Sequence, residues 1–384
     1  MFGSLKELAI NKSEVPSCKD MSEKGQSQHR KVGVEKWKYM PIFAIALYLS
    51  NKCTRQCSYC YSGSGEKMSN EMTDSNFDRL LEFIQELYWA GDKAVFQLTH
   101  LGGEPLLRTD RVRRLQEAAK KTNGMIGVLF TNGDLLNTIE WEDVQDITVW
   151  ALNITDLPLN EIERRMTLIR KNSRAFNQTL AATLDGVNLE GTRMEDVVRF
   201  GLENKYRFRF TQNIWKTNDE DYKKRLLAKT HSIVDVCEEY HAKGYAIPTS
   251  YILDRVLPYH WWKLDTPYEN FTPYPCGRGI CSVNYDGSIS PCLRNQNIKI
   301  ADIFSSENII QKLKVPEWEY SFANKFIDKE CLACEVRYVC QGGCPNDKVM
   351  SCGSVSGKAP FCQISKEIIP RLLPLVDGKR WQIG

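Results

Sequence analysis

Cys53, Cys57 and Cys60 stand together in the segment Cys53-Thr-Arg-Gln-Cys57-Ser-Tyr-Cys60. Three thiolates at spacings of four and three can converge from one loop onto a cubic four-iron cluster, leaving one iron without a protein ligand. An open coordination position is where a substrate or cofactor binds, as in catalytic metal sites. A zinc loop competes with this reading, but zinc ordinarily takes four ligands, and no histidine or further cysteine lies close by in sequence. Downstream come Cys276-x4-Cys281-x10-Cys292, with Gly287 five residues before Cys292, then Cys331-x2-Cys334-x5-Cys340-x3-Cys344 and, after seventeen more residues, Cys362. Eight thiolates suffice for two fully ligated four-iron clusters. Two structural zinc ribbons suit the paired spacings equally well.

The remaining cysteines are Cys18, Cys237 and Cys352. Cys18 falls in a polar arm and Cys237 in a long helical pattern, where it reads as an ordinary buried thiol. Cys352, between Ser351 and Gly353, is a candidate reactive thiol in a loop. Fourteen cysteines in a chain of 384 residues with no apolar export segment suit metal ligation in a reducing compartment better than disulfides. The expected location is the cytoplasm. No apolar run approaches the roughly 18 residues that span a bilayer. The 51 basic and 48 acidic residues are too balanced for a nucleic-acid or acidic-membrane partner.

The surrounding pattern shows what must position these cysteines. Residues 1–40 form a flexible polar arm. An apolar strand, Ile42 to Leu49, then leads directly into the first cysteine loop. Thr73 caps a helix whose apolar face carries Phe77, Leu80, Leu81, Ile84 and Leu87. Strand and helix signals then alternate: strand Ala94–Thr99, helix Arg111–Lys121, strand Met125–Thr131, strand Ile147–Asn153 after a weak helix, helix Glu161–Lys171, strand Thr179–Leu184, helix Met194–Asn204 and strand Tyr206–Thr211. Six β–α repeats in about 200 residues predict an α/β fold with a parallel sheet, closed or partly closed. A long helix, Asp219 to Lys243, precedes a cysteine-dense, turn-rich remainder. The expected organisation is an arm (1–40), an α/β domain (41–245) and a bridge with a cysteine-rich domain (246–384).

At the first cysteine loop the chain resembles the radical S-adenosylmethionine (SAM) superfamily, whose signature is this spacing with an aromatic, here Tyr59, before the last cysteine. Gly102-Gly103-Glu104-Pro105, at the end of the second strand, resembles the family's second signature, which binds the amino group of the SAM methionine. Glycines there let backbone come close to a ligand. The resemblance implies a partial (β/α)6 barrel in which Cys53, Cys57 and Cys60 hold a 4Fe-4S cluster. That cluster chelates SAM through its open iron and cleaves it to a 5′-deoxyadenosyl radical. Thr131-Asn132-Gly133 and Asn153, at the ends of the third and fourth strands, are where family members contact SAM. As plain strand-end turn formers they are equally well explained.

The C-terminal cysteines resemble the SPASM extension that follows such barrels, so the likeness covers roughly Ile42 to Cys362. It implies a nearer auxiliary cluster on Cys276, Cys281, Cys292 and Cys344 and an outer one on Cys331, Cys334, Cys340 and Cys362. That makes three 4Fe-4S clusters, the two auxiliary ones serving as electron relays. SPASM proteins mostly modify peptides, so the expected activity is a crosslink or oxidation in a ribosomally made peptide, with a flavodoxin or ferredoxin as electron donor. Radical dehydrogenation of an amino sugar or cyclitol is the alternative. A non-catalytic electron carrier or zinc scaffold needs no SAM pocket. Sulfatase maturases carry aspartate where this chain has Leu293, followed by Arg294, which counts against formylglycine formation. The 52 residues before Cys53 are too few for the winged-helix domain with which many relatives grip a leader peptide. Trp261, Trp262, Tyr268 and Tyr274 are candidates for a substrate cleft, although packing between domains suits most of them better. No histidine or carboxylate stands out as a catalytic acid or base.

Overall fold

A computed structural model describes residues 44–90, 97–121, 126–248, 280–304, 329–336, 340, 342–353 and 358–375. The N-terminal arm, Cys276 and the aromatic residues Trp261, Trp262, Tyr268 and Tyr274 lie outside the described residues. The strands are β1 (Ala44–Tyr48), β2 (Gln97–Leu101), β3 (Ile126–Thr131), β4 (Val149–Asn153), β5 (Asn177–Leu184), β6 (Arg207–Gln212), β7 (Ile280–Asn284), β8 (Ser288–Ser290) and β9 (Ala301–Asp302). The helices are α1 (Asp74–Ala90), α2 (Thr109–Lys120), α3 (Leu159–Asn172), α4 (Arg193–Glu203), α5 (Glu220–Ala242), α6 (Lys329–Leu332), α7 (Pro345–Cys352) and α8 (Cys362–Leu372). None of the described helices is long and apolar enough to cross a membrane. Two compact units result, one comprising 38–179 with 275–321 and the other 180–274 with 322–384 and the first 37 residues.

In the first unit the sheet order is β4-β3-β2-β1-β7-β8-β9. β1 pairs in parallel with both β2 and β7, and β2, β3 and β4 continue the parallel ladder. β8 and β9 return antiparallel. All five residues of β1 are buried, as a central parallel strand covered on both faces requires. One face of the sheet, with Ile45, Leu47, Leu98, Val283 and Ile289, packs against Phe77, Leu80, Phe83, Ile84 and Leu87 of α1 and Leu115 of α2. Each such side chain contributes roughly 1.5–3 kcal/mol on burial. Thr73 caps α1 as expected, its Oγ1 accepting from the Asn76 N–H at 3.2 Å. Arg111 ties the start of α1 to α2 by donating to the Met72 carbonyl at 2.6 Å.

The second unit packs α4 and α5 together through a buried pair, Lys229 Nζ lying 2.8 Å from Glu195. Gly201 lets α4 approach β6, since a Cβ there would meet the Phe208 ring at 2.3 Å. α5 spans 23 residues and is capped by Asp219, which accepts from Tyr222 N–H at 2.9 Å. Arg371 of α8 holds it through Glu238 at 2.9 and 2.7 Å and Asp235 at 2.6 Å. Cys237 is fully buried in α5, the ordinary core thiol expected.

The α/β class with a parallel sheet is as expected. The elements beyond residue 245 were not: β7, β8, β9, α6, α7 and α8 stand where a turn-rich tail was anticipated. α7 opens on Pro345 at its first turn and closes on left-handed Gly353, the ordinary helix start and stop. α8 buries Ile364, Ile368, Ile369 and Leu372, a helical spacing that the cysteine density obscured. The weak helix before β4 is a single 3₁₀ turn, Trp141–Asp143.

Candidate active site

The loop after β1 carries Cys53, Cys57 and Cys60, all half-buried. It is held by short backbone bonds: Cys53 N–H to Gly65 O at 3.2 Å, Gly65 N–H to Asn51 O at 3.1 Å, and Cys60 N–H to Cys57 O at 3.1 Å. The loop after β2 locks onto it. Gly103 N–H donates to Ser50 O at 2.8 Å and Glu104 N–H to Lys52 O at 2.9 Å. This contact explains both glycines. A Cβ on Gly103 would lie 1.7 Å from Lys52 O, and one on Gly102, whose φ is +112°, 2.6 Å from Ser50 O. The glycines thus serve the approach of two loops to each other, a role separate from any approach to ligand. Ser62 strengthens the junction, its Oγ 3.2 Å from Cys60 Sγ and 2.8 Å from Ser64 Oγ, which donates to Gly102 O at 3.3 Å.

Glu104 is buried and turned inward. Its carboxylate accepts from Leu106 N–H at 3.1 Å, from Thr131 Oγ1 at 2.8 Å and from Asn132 N–H at 2.9 Å. It therefore caps the 3₁₀ turn opened by Pro105 and fastens the end of β3 to the loop after β2. Asn132 in turn reaches the cysteine loop, its Nδ2 2.9 Å from Thr54 Oγ1 and 3.7 Å from Cys53 Sγ. Asn153 accepts from Thr155 N–H at 3.0 Å, the strand-end turn role. Tyr59 is half-buried beside Cys57; burial and then the neighbouring Cys57 raise its phenol. Burial, chiefly, also raises the Cys53 and Cys57 thiols. A bound metal supplies the positive charge such thiols need to ionise.

Burial pushes Glu104 up to about 7, against hydrogen bonds from Asn132, Thr131 and Leu106 that favour the charged form. The folded value exceeds the ordinary 4.5. Folding therefore favours the protonated acid, and that stabilisation is complete below pH 4.5 and lost as pH rises through about 7. Denaturant unfolding of metal-free protein is expected to show wild type losing up to about 3 kcal/mol relative to Glu104→Gln across this window. A pH-independent difference between the two proteins contradicts the assignment.

A second set of residues was not anticipated. Arg55, inside the cysteine loop, forms a fork on Asp134, with Nε 2.6 Å from Oδ2 and Nη2 on Oδ1. Arg165 of α3 lies 2.8 Å from the same carboxylate and donates to Asn132 O. Burial raises Asp134, but Arg55 and Arg165 outweigh it and hold the acid below its ordinary value. The signal was present in the oppositely charged residues two beyond Cys53 and one beyond Gly133, although only the fold shows them paired. Tyr48, at the end of β1, is buried and donates to Leu293 O, and its hydroxyl lies 3.2 Å from that of Tyr61. The Arg294 guanidinium stands over the Tyr61 ring at 6.0 Å. The residues after Cys60 and after Cys292 therefore share one neighbourhood.

In the second unit Cys331, Cys334, Cys340 and Cys362 line one cavity, with Ser365, Lys358 and Lys366 at its wall. Cys344 is absent from that lining and occupies the N-cap position of α7, without a side-chain capping bond. Burial pushes Cys340 up to about 11, with Cys362, Cys331 and Cys334 adding to the effect. Four convergent thiols suit a fully ligated four-iron cluster. Among the described residues no three histidine, cysteine or acidic side chains close on a single-ion site; a cubic cluster is gripped at separate corners and does not require that closeness. Cys352 is exposed at the end of α7, its Sγ donating to Lys348 O at 3.1 Å.

Residues 47–193 match the family model described as the Radical SAM superfamily. The chain is 21% identical over 352 residues to a PqqA peptide cyclase of Bradyrhizobium diazoefficiens, covering 84% of this chain and 86% of that protein. It is 22% identical over 364 residues to the enzyme of the same name from Xanthomonas euvesicatoria, covering 85% and 88%. Among solved structures, the fold resembles anSMEcpe with bound AdoMet and a peptide at a TM-score of 0.64 and 17% identity, covering 88% of this chain and 98% of that one. It also resembles Streptococcus suis SuiB bound to precursor peptide SuiA at a TM-score of 0.61 and 15% identity, covering 87% and 78%. With the cysteine loop, the glycine junction and the parallel sheet in place, this chain carries a Radical SAM superfamily domain over residues 47–193.

Proposed function

We propose that the protein is a radical SAM peptide maturase that installs a crosslink or an oxidation in a ribosomally made peptide. The observation carrying this reading is the reach of the likeness to PqqA peptide cyclases, about five-sixths of the chain. In this reading Cys53, Cys57 and Cys60 hold the SAM-binding cluster, while Tyr59, Gly102, Gly103, Glu104, Pro105, Thr131, Asn132 and Asn153 form or support the SAM pocket. A four-iron cluster bound there supplies the electron that cleaves SAM to methionine and a 5′-deoxyadenosyl radical. The chain's own contribution is position. Glu104 and the Arg55–Asp134–Arg165 clamp fix the loop, and Asn132 presents an N–H toward Cys53, where it favours the thiolate.

Downstream of residue 245 the reading assigns a SPASM-type domain with two auxiliary clusters. Cys331, Cys334, Cys340 and Cys362 hold the outer one, and Cys292 and Cys344, with Cys276 outside the described residues, belong to the nearer one. A flavodoxin or ferredoxin delivers electrons in a reducing cytoplasm. Incubating anaerobically reconstituted protein with SAM, a reductant and the short peptides encoded beside its gene is expected to convert one peptide to a product of altered mass. SAM cleavage with every peptide unchanged, but a cyclitol or amino sugar oxidised, establishes the small-molecule dehydrogenase instead.

A further inference from the structure

Lys348, in α7, is 0% exposed. Lysine is almost never fully buried unless it is paired, and an ammonium taken out of water costs several kcal/mol without an opposite charge beside it. The helix shows where the side chain goes. Lys348 N–H donates to Cys344 O at 3.2 Å, which sets the lysine one turn above Cys344. Residues four apart share a face of a helix, and their Cβ atoms tilt toward its N-terminus. The lysine stem therefore runs back toward Cys344 and the turn that precedes it. Asp347 is buried as well, but consecutive helical side chains do not face each other.

That turn brings the thiols in. Gly342 and Gly343 both take left-handed backbone, with φ of +75° and +81°, and Gly343 N–H donates to Cys340 O at 3.0 Å. Cys340 is thereby folded back on the start of α7. Burial lowers the Lys348 ammonium, while Cys331, Cys340, Cys344 and Cys352 act in the opposite direction and favour its charge. The leading groups that favour it are thus thiols rather than carboxylates. Cys331 and Cys340 also line the cavity that they share with Cys334 and Cys362.

We infer that Lys348 is a built-in counter-charge to the outer iron–sulfur cluster, its buried ammonium raising the potential at which that cluster takes an electron. This rests on the reading that Cys331, Cys334, Cys340 and Cys362 hold the cluster. Thiolate ligands give such a cluster net negative charge, and reduction increases it, so a positive neighbour favours the reduced form. Net charge, hydrogen bonds to sulfur and solvent exposure are what set these potentials. Screening by solvent weakens a surface lysine in this role, and burial spares Lys348 that loss.

The test is a redox titration followed by electron paramagnetic resonance on full-length protein reconstituted anaerobically. Cys53, Cys57 and Cys60 are changed to Ala in every sample, so that only the auxiliary clusters, roughly eight irons, report. Lys348→Met, which keeps length without charge, is expected to move one midpoint to more negative potential by at least about tenfold in the one-electron equilibrium, or about 59 mV. Lys348→Arg keeps the charge and is expected to restore most of that shift. Both midpoints of Lys348→Met staying within about twofold of the parent's equilibrium overturn the inference. Should Lys348→Met lose about four irons, their recovery in Lys348→Arg supports the counter-charge, because charge and not shape was then missing. The same loss in both variants overturns it, since the site then needs only the packing of the lysine. A parent short of about eight irons removes the auxiliary clusters themselves, a separate failure recognisable before any variant is compared.

Discussion

Gly103→Ala is expected to lower SAM cleavage at least ~100-fold, because a displacement of about 1 Å at a reacting centre costs that much. The added Cβ would fall 1.7 Å from Lys52 O and 2.5 Å from Lys52 C. Neither is the end of a flexible side chain, so the strand-end backbone must move, and Cys53 is the next residue along it. Stability is expected to fall by about 3 kcal/mol, the upper end of overpacking in a closely fitted site. Gly63 supplies the control. It lies in the same loop with φ +59°, but nothing stands within 4 Å of its Cβ position. Gly63→Ala thus meets only the cost of a left-handed conformation, about 1–2 kcal/mol, and is expected to retain most of the cleavage. Measuring 5′-deoxyadenosine by mass spectrometry separates the two. Equal activity in both variants contradicts the loop-junction account.

Asp134→Ala should produce the next largest effect. The carboxylate receives Arg55 from the cysteine loop, Arg165 from α3 and, at 3.3 Å, the Thr54 hydroxyl. Removing it leaves two guanidiniums facing each other in a part-buried site. Breaking a fully buried pair costs about 3–5 kcal/mol, and exposure of a fifth or more of the Arg55 and Asp134 side chains reduces this to about 2. SAM cleavage is expected to drop about 10-fold as the loop loosens, with iron content falling less, since the thiols themselves remain. Because folding holds Asp134 below the ordinary 3.8, its stabilisation is present at neutral pH. It disappears only as pH falls below that value. An Asp134→Ala protein as stable as wild type at pH 7 by denaturant unfolding contradicts the clamp.

The sequence carried the cysteine loop and its position after the first strand, because both are local. The six-strand pattern was equally legible, since each strand is an apolar run bounded by turn formers. Pairings across the chain were hidden. Nothing in the spacing shows that Arg55 meets Asp134, or that Glu104 faces Thr131 and Asn132 through its own carboxylate. Cys281 is the clearest case. Its spacing to Cys292 resembles a ligand pair, yet strand alternation puts it on the apolar face, which becomes evident only once Ile45 is seen opposite it. In the cysteine-rich tail, α8 was legible in Ile364, Ile368 and Leu372 but was outweighed by the neighbouring thiols. Nor could spacing show that Cys331, Cys334, Cys340 and Cys362 line one cavity.

The most direct test of the central claim is 5′-deoxyadenosine formation by anaerobically reconstituted protein with dithionite and SAM, beside a Cys57→Ala variant. Radical initiation at the loop after β1 predicts product from wild type and none above background from Cys57→Ala, whose iron content should be about four lower. Equal product from both, or none from wild type with its full iron complement and its peptide present, contradicts the assignment of that loop as the SAM-cleaving site.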